Sequence, residues 1–124
     1  MNEHDELIDR YLAAWNETEP AARRDLIART YAEDARYLDP KLSAEGHAGI
    51  DTMVQTVHGM FPGHRFTRLG PADAHHDRLR FGWAFGPVAG GPPVVTGVDF
   101  ATLAPDGRLA AVTGFFDAPA AAAA

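Results

Sequence analysis

The chain has 124 residues and no cysteine, 46% of its residues are hydrophobic, and its formal net charge is −6. This length fits one domain with a buried core, and the lack of cysteine excludes a disulfide scaffold, a thiol nucleophile and a thiolate metal site. The acidic balance and the scattered arginines argue against nucleic acid as a partner. The acidic N-terminus and the lack of a long apolar run predict a soluble, cytoplasmic protein with no membrane partner.

The first half of the chain predicts three helices. Apolar residues recur at helical spacing from Leu7 to Asn16. Pro20 suits the start of a second helix, from Ala21 to Tyr31. The third helix is predicted from Ile50 to Phe61, where a Pro-Gly pair follows and ends it. Helices that precede all the long strands favour an α+β fold.

Strands are predicted on both sides of the third helix. Ala35 to Pro40 predicts a short strand that ends at the proline, and Ser43 to Gly49 predicts a loop. After Gly63 the hydrophobic period changes from 3.6 to 2. The later predicted strands are Arg65–Leu69, Arg78–Phe85, Val94–Leu103 and Arg108–Asp117. Their consecutive hairpins predict an antiparallel meander with the helices on one face, in a single domain of residues 1–117 followed by an alanine-rich tail, 118–124.

Asp39 is the first candidate for chemistry. It precedes a proline at the end of a predicted strand, where a curved sheet would meet the helices. Loss of water around the carboxylate there would raise its pKa toward the range of a general base. The alternative is an Asp-Pro turn in which the carboxylate only accepts a hydrogen bond from a nearby backbone N–H.

Three other positions have open alternatives. Tyr11 and Trp15 lie four residues apart on the apolar side of the first helix, so the Tyr11 hydroxyl faces either a core acceptor or a ligand in a cavity. His58 lies at the edge of the third helix's inner side, as a core histidine or a pocket histidine. Strict alternation places Asp99 on the opposite strand face from Thr96 and Val98, and a single bulge would exchange the two faces.

The sequence contains no motif for a common cofactor. It has no phosphate loop, dinucleotide fingerprint, His-Glu-x-x-His motif or Gly-x-Ser-x-Gly motif. The six histidines lack metal-ligand spacing. We therefore expect neither a cofactor nor a metal.

The order of the elements and several residue runs resemble the nuclear transport factor 2-like superfamily, specifically its SnoaL-like and ketosteroid-isomerase-like branch. The runs are Tyr11–Trp15, Tyr31–Pro40, Glu45–Ile50, Asp106–Leu109 and Gly114–Asp117. The resemblance implies a cone-shaped α+β barrel, cystatin-like in architecture, in which a curved antiparallel or mixed sheet wraps around three N-terminal helices. It also implies a homodimer that forms through the outer face of the sheet.

The resemblance also assigns roles to single residues. Asp39 falls on the proton-shuttling carboxylate of ketosteroid isomerase and Tyr11 on its oxyanion-hole tyrosine, a system that is a standard example of pKa tuning. The second oxyanion-hole acid falls on Thr96 and not on Asp99, which is a departure from the isomerase. The epoxide hydrolase pattern of the superfamily also fails, because its catalytic aspartate falls on Gly114.

These observations predict an enzyme that abstracts a proton next to a carbonyl of a small hydrophobic or aromatic substrate, as an isomerase, cyclase or dehydratase. Asp39 would take the proton, and Tyr11, with Thr96 or His58, would hydrogen-bond the enolate oxygen. The remaining substrate-binding candidates are Trp15, Phe61, Trp83, Val98, Asp99 and Phe116. The alternative is a non-catalytic ligand-binding or dimerisation module of the same fold.

Overall fold

The computed structural model describes residues 3–117. The described chain contains α1 (Glu3–Asn16), α2 (Pro20–Thr30), β1 (Tyr31–Leu38), β2 (Ser43–Glu45), α3 (Gly46–Met60), β3 (His64–His75), β4 (Arg78–Pro87), β5 (Val95–Leu103) and β6 (Leu109–Phe116). The predicted α+β order of helices and strands is confirmed. The predicted tail, residues 118–124, lies outside the described residues.

The six strands form one curved sheet in the order β2-β1-β6-β5-β4-β3. Strands β3 to β6 form the predicted antiparallel meander. Strand β1 pairs with β6 in parallel and with β2 in antiparallel orientation, so the sheet is mixed. Since β2 and β3 remain as edges, the sheet does not close, and the predicted barrel is corrected to an open sheet.

Two predicted boundaries between helix and strand were wrong. The second helix ends at Thr30, and Tyr31 is already extended and opens β1, four residues before the predicted strand. The predicted loop from Ser43 to Gly49 is instead a short strand followed directly by α3, because a tight hairpin brings Ser43 opposite Leu38. Local composition could not reveal this pairing, since β2 is defined by its partner strand.

The bounds of β4, β5 and β6 lie within two residues of the predicted ones. Strand β3 is longer than predicted because it continues to His75 after a break in register between Leu69 and Asp73. The break contains Gly70, whose positive φ of 75° is accessible to glycine.

Helix α1 packs on the inner face of the sheet through its predicted apolar side. Leu7, Ile8, Tyr11 and Trp15 are buried there. At the end of the helix the Asn16 side chain exchanges two hydrogen bonds with the backbone of Phe66, at 2.8 and 2.9 Å. These bonds fix the end of α1 against β3 and so determine where Trp15 and Tyr11 lie relative to the sheet.

Gly97 lets the Trp83 side chain and the backbone of β6 approach closely on the inner face. A Cβ atom at this position would overlap the Phe115 carbonyl oxygen and would lie 2.5 Å from Cζ2 of Trp83. The Trp83 indole therefore lies directly over the backbone of β5.

We expect Gly97→Ala to lower the free energy of unfolding by about 3 kcal/mol, because either the indole or β6 has to move. Denaturant unfolding measures the change. The matched control is Gly59→Ala in α3, where an added Cβ would meet nothing within 4 Å and where alanine should raise stability by up to about 1 kcal/mol. Equal stability of the two variants would contradict the packing described for Trp83.

Candidate functional site

A cavity of about 300 Å³ lies between the inner face of the sheet, α1 and α3. Its walls are mostly aromatic and aliphatic, and its titratable side chains other than tyrosine are Asp39, Asp99 and Lys41. Lys41, Met60 and Val94 are exposed and mark its mouth. The lining residues are Tyr11, Leu12, Trp15, Tyr37, Asp39, Lys41, Leu42, Val57, Met60, Phe61, Phe66, Trp83, Phe85, Val94, Val95, Asp99 and Phe116.

Asp99 is the buried carboxylate of this cavity. Its side chain is 4% exposed, and it accepts hydrogen bonds from the Tyr11 hydroxyl at 2.7 Å and from Nε1 of Trp83 at 2.9 Å. Burial raises the pKa of Asp99 to about 6, although both hydrogen bonds oppose the shift; the nearby Asp39 charge adds to it. Asp99 therefore titrates close to neutral pH, where a general acid or base is most effective.

Tyr11 remains protonated beside this carboxylate. Burial raises the pKa of the Tyr11 hydroxyl well above its ordinary value, and the Asp99 charge raises it further. Tyr11 is therefore a hydrogen-bond donor in this site and not a base. Of the two alternatives for Tyr11, the structure shows both a core acceptor, Asp99, and a place in the cavity wall.

The predicted oxyanion hole requires Thr96 to point toward the helices, and the structure shows the opposite face of β5 in that position. Gly97, Asp99 and Ala101 point inward, and Thr96 and Val98 point outward, with no bulge needed. Thr96 donates a hydrogen bond to the Asp117 carboxylate at 2.8 Å. Neither Thr96 nor Val98 lines the cavity, and the residue beside Tyr11 is Asp99 and not Thr96.

Asp39 combines the two alternatives that the sequence leaves open. Its Oδ1 atom accepts hydrogen bonds from the backbone N–H groups of Lys41 and Leu42, both at 2.8 Å, so it does form an Asp-Pro turn. Its Oδ2 atom accepts from the Tyr37 hydroxyl at 2.7 Å, and the residue lines the cavity. Asp39 is only half-buried, so the strong desolvation expected here is found at Asp99 instead.

Gly114 lies between the two carboxylates. A Cβ atom on this residue would lie 2.9 Å from Oδ1 of Asp99, 3.2 Å from Cβ of Asp39 and 3.5 Å from the Tyr37 hydroxyl oxygen. The space that glycine leaves open on β6 thus lets both carboxylates face one cavity. Burial raises the pKa of Tyr37 far above its ordinary value, with contributions from Asp99 and Asp39.

The structure brings together most of the predicted aromatic wall. Trp15, Phe61, Trp83 and Phe116 all line the cavity. His58 does not: its Nε2 atom lies 2.7 Å from the Trp15 carbonyl oxygen, a contact that fits the core alternative.

Sequence reasoning missed Tyr37, Lys41, Phe66 and Phe85 as lining residues. Phe85 could have been found, because it lies on the same alternating strand face as Trp83. Tyr37 could also have been found, because residues two apart on a strand share a face and Tyr37 is two residues before Asp39. Lys41 and Phe66 carried no such signal, because the hairpin at Asp39 and the register of β3 decide where they point.

The described part of the chain shows neither a metal centre nor a spanning helix. Among residues 3–117, no three His, Asp or Glu side chains lie close enough to hold a metal ion. No helix in the same range is long and apolar enough to cross a membrane.

The comparisons with known proteins agree with this geometry. Residues 8–112 match the family model of the SnoaL-like domain, and the chain therefore belongs to the SnoaL-like family. The crystal structure of a "putative isomerase of the SnoaL-like family" from Agrobacterium tumefaciens is 38% identical, with a TM-score of 0.89 over 95% of this chain and 100% of that one. No curated protein gives a significant match.

Two more distant structures confirm the predicted fold class. An NTF2-like protein of unknown function from an Exiguobacterium species is 19% identical, with a TM-score of 0.72 over 91% of this chain and 99% of that one. A protein with a ketosteroid isomerase-like fold from Catenulispora acidiphila, solved in complex with trimethylamine, is 17% identical, with a TM-score of 0.73 over 90% of this chain and 85% of that one.

The raised pKa of Asp99 predicts how stability depends on pH. The folded state holds this proton more tightly than the unfolded chain, whose aspartates titrate near 3.8, so Asp99 lowers stability as the pH rises from about 4 to 6. We expect the free energy of unfolding of the wild type, relative to that of Asp99→Asn, to fall by about 2 kcal/mol between pH 4 and pH 7.

Urea unfolding of both proteins at intervals across this range measures the difference. Asp34→Asn is the control, because it removes an exposed carboxylate from β1. Parallel stability profiles for the wild type and Asp99→Asn would contradict a raised pKa at Asp99.

Proposed function

We propose that this chain is a cofactor-independent enzyme that abstracts a proton next to the carbonyl group of a small apolar substrate, in the isomerase or cyclase class. The observation that carries the proposal is the pair of carboxylates facing one apolar cavity. Asp99 has a pKa near 6 and a hydrogen bond from Tyr11, and Asp39 is half-buried in the same wall. Two carboxylates in environments of different polarity are suited to different steps of proton transfer.

Asp39 has the role of the base. Both of its oxygens already accept hydrogen bonds, which orient the carboxylate. Oδ2 accepts only from Tyr37 in the described structure, so a second lone pair of this oxygen is available to a substrate C–H. The proton moves from the substrate carbon to Oδ2, and the electron pair of the broken C–H bond moves onto the carbonyl oxygen as an enolate.

Tyr11 and Asp99 have the role of stabilising the enolate oxygen. When Asp99 is protonated, its O–H can donate across the 2.7 Å contact to the Tyr11 oxygen, and the Tyr11 O–H is then free to donate to the substrate. A bound apolar ligand excludes water and so favours the protonated Asp99. One such donor in a dry site contributes about 3 kcal/mol to transition-state stabilisation.

The fate of the enolate decides the reaction class. Return of the proton from Asp39 to another carbon gives an isomerase. Attack of the enolate carbon on an electrophile within the same molecule gives a cyclase, and loss of a leaving group gives a dehydratase. All three share the first proton transfer, so the test is directed at that step.

Deuterium exchange tests proton abstraction without knowledge of the product. We expect the wild-type protein in D₂O to introduce deuterium at the α-carbon of at least one of a panel of small apolar ketones, detected by mass spectrometry. Asp39→Asn should lower this rate at least about 100-fold, because the amide cannot take the proton. Tyr11→Phe should lower it by a similar factor through loss of the donor.

Asp34→Asn is the matched control, since it changes an exposed aspartate of β1, the strand that leads into Asp39, and Asp34 does not line the cavity. Exchange that is equally fast in the wild type, Asp39→Asn and Asp34→Asn would overturn the assignment of the base. Thermal unfolding of each variant separates loss of activity from loss of the fold.

A second candidate function is the binding of a small ammonium ion without catalysis. It is supported by the aromatic faces of Trp15, Trp83 and Phe66 and by two carboxylates in one cavity, which together suit a cation. The Catenulispora acidiphila structure of the same fold contains trimethylamine. Tighter binding of an alkylammonium ion than of a neutral analogue of equal size, with no deuterium exchange, would favour this function.

We also propose that the protein forms a homodimer through the outer face of the sheet. An apolar row crosses this face from β3 to β6, since Leu69 pairs with Gly82, Gly82 with Val98 and Val98 with Phe115. Leu69 is 50% exposed and Phe115 is 60% exposed. The same row on a second copy, turned by a two-fold axis, would cover these side chains.

We expect Phe115→Arg to convert a dimer to a monomer, because each copy would bring a charge into the apolar contact at the β6 end of the row. Sedimentation equilibrium over a range of protein concentrations measures the mass. Val88→Arg, at an exposed apolar residue in the loop after β4, is the control. A monomeric wild-type protein at all concentrations would refute the dimer.

A further inference from the structure

Lys41 is the chain's single lysine, and it lies at the mouth of the cavity. Among the cavity-lining residues it is the one with a positively charged side chain. Its side chain is exposed and forms no ion pair with any residue in the range 3–117. A cation placed at a cavity mouth without a protein partner is available to a ligand.

The backbone of Lys41 is fixed by the same turn that orients Asp39. Within this turn the Asp39 N–H donates to the Leu42 carbonyl oxygen at 2.9 Å, and Oδ1 of Asp39 accepts the backbone N–H of Lys41 at 2.8 Å. Pro40 restricts the turn further by fixing one φ angle. The distance along the wall from the Asp39 carboxylate to the Lys41 position is thus set by a rigid four-residue segment.

The chemistry around Lys41 favours an anion as its partner. Asp39 accepts hydrogen bonds on both oxygens from Tyr37 and from the turn, and it forms no ion pair with the ammonium group. The other two residues that mark the mouth, Met60 and Val94, have apolar side chains, so Lys41 is the charged residue there.

We propose that Lys41 is a specificity-determining residue that binds an anionic group, such as a carboxylate, at the outer end of the substrate. The apolar part of the substrate then lies between Trp15 and Trp83, and the reacting carbonyl lies deeper, beside Tyr11. This inference rests on the proposed function in that it takes the cavity as the substrate site. It adds the substrate class: a small apolar carbonyl compound that carries a negative charge at one end.

Three probes that differ only in their end group test the inference: 4-phenylbutyrate, 4-phenylbutyramide and 4-phenylbutylammonium. The two tryptophans of the chain both line the cavity, so quenching of their fluorescence reports binding. We expect the wild type to bind the carboxylate about five-fold more tightly than the amide, a ratio typical of one partly exposed ion pair. Lys41→Met should remove this preference, and Lys41→Arg should keep it.

Arg24→Met is the matched control, because it removes an exposed positive charge that does not line the cavity. It should leave the ratio unchanged, which separates the local charge of Lys41 from the net charge of the protein. Since Lys41 is exposed, the melting temperature of the variants should stay within a few degrees of the wild type.

Three results would overturn the proposal: a carboxylate-to-amide ratio that is the same in the wild type and Lys41→Met, tightest binding of the ammonium probe, or no binding of any probe at millimolar concentration. Each is distinguishable from failure of the proposed function. Deuterium exchange on neutral ketones by the wild type reports proton abstraction from substrates that carry no charge for Lys41 to bind, whereas the probe ratio reports the charge at the mouth and needs no catalysis.

Discussion

The burial of Asp99 is the constraint on which the arrangement of the site depends. A carboxylate with almost no exposed surface is costly to keep charged, and two hydrogen bonds, from Tyr11 and Trp83, offset part of that cost. Each donor has its own structural requirement. Tyr11 depends on the docking of α1 against β3, and Trp83 depends on a strand neighbour that has no side chain, Gly97.

Around Asp99, large residues of β4 pack against small or short residues of β5. On the inner face, Trp83 of β4 lies opposite Gly97 of β5, Phe81 opposite Asp99, and Leu79 opposite Ala101. Each large side chain on one strand thus meets a small or short one on the other. This complementarity forms a continuous layer of packed side chains and leaves the aspartate as the polar group within it.

This pairing of large and small residues across β4 and β5 also explains which parts of the fold and the site could be predicted from the sequence. Helix α1, the alternation of β4 and the meander were readable because hydrophobic period alone defines them. The inner face of β5 was not, because hydrophobicity by itself favours Val98 and Phe100 as the core side of that strand. Only the pairing with the bulky residues of β4 shows that the side with Gly97 and Asp99 is the inner one, and Phe100 is 40% exposed. The assignment of Thr96 came from the family resemblance and not from the residue pattern, so the alternation of β5 could not check it.

Asp39 and Asp99 differ in burial and in the groups that donate hydrogen bonds to their carboxylates. Asp39 belongs to a turn, where two backbone N–H groups donate to its Oδ1 atom and the side chain is only half-buried. Asp99 belongs to the middle of a strand, where its donors are side chains and burial outweighs them. A ligand that fills the cavity removes water from both, but the backbone donors of Asp39 stay in place. A filled cavity therefore acts most strongly on Asp99, because burial already favours its protonated form and no backbone N–H group within residues 3–117 donates to it.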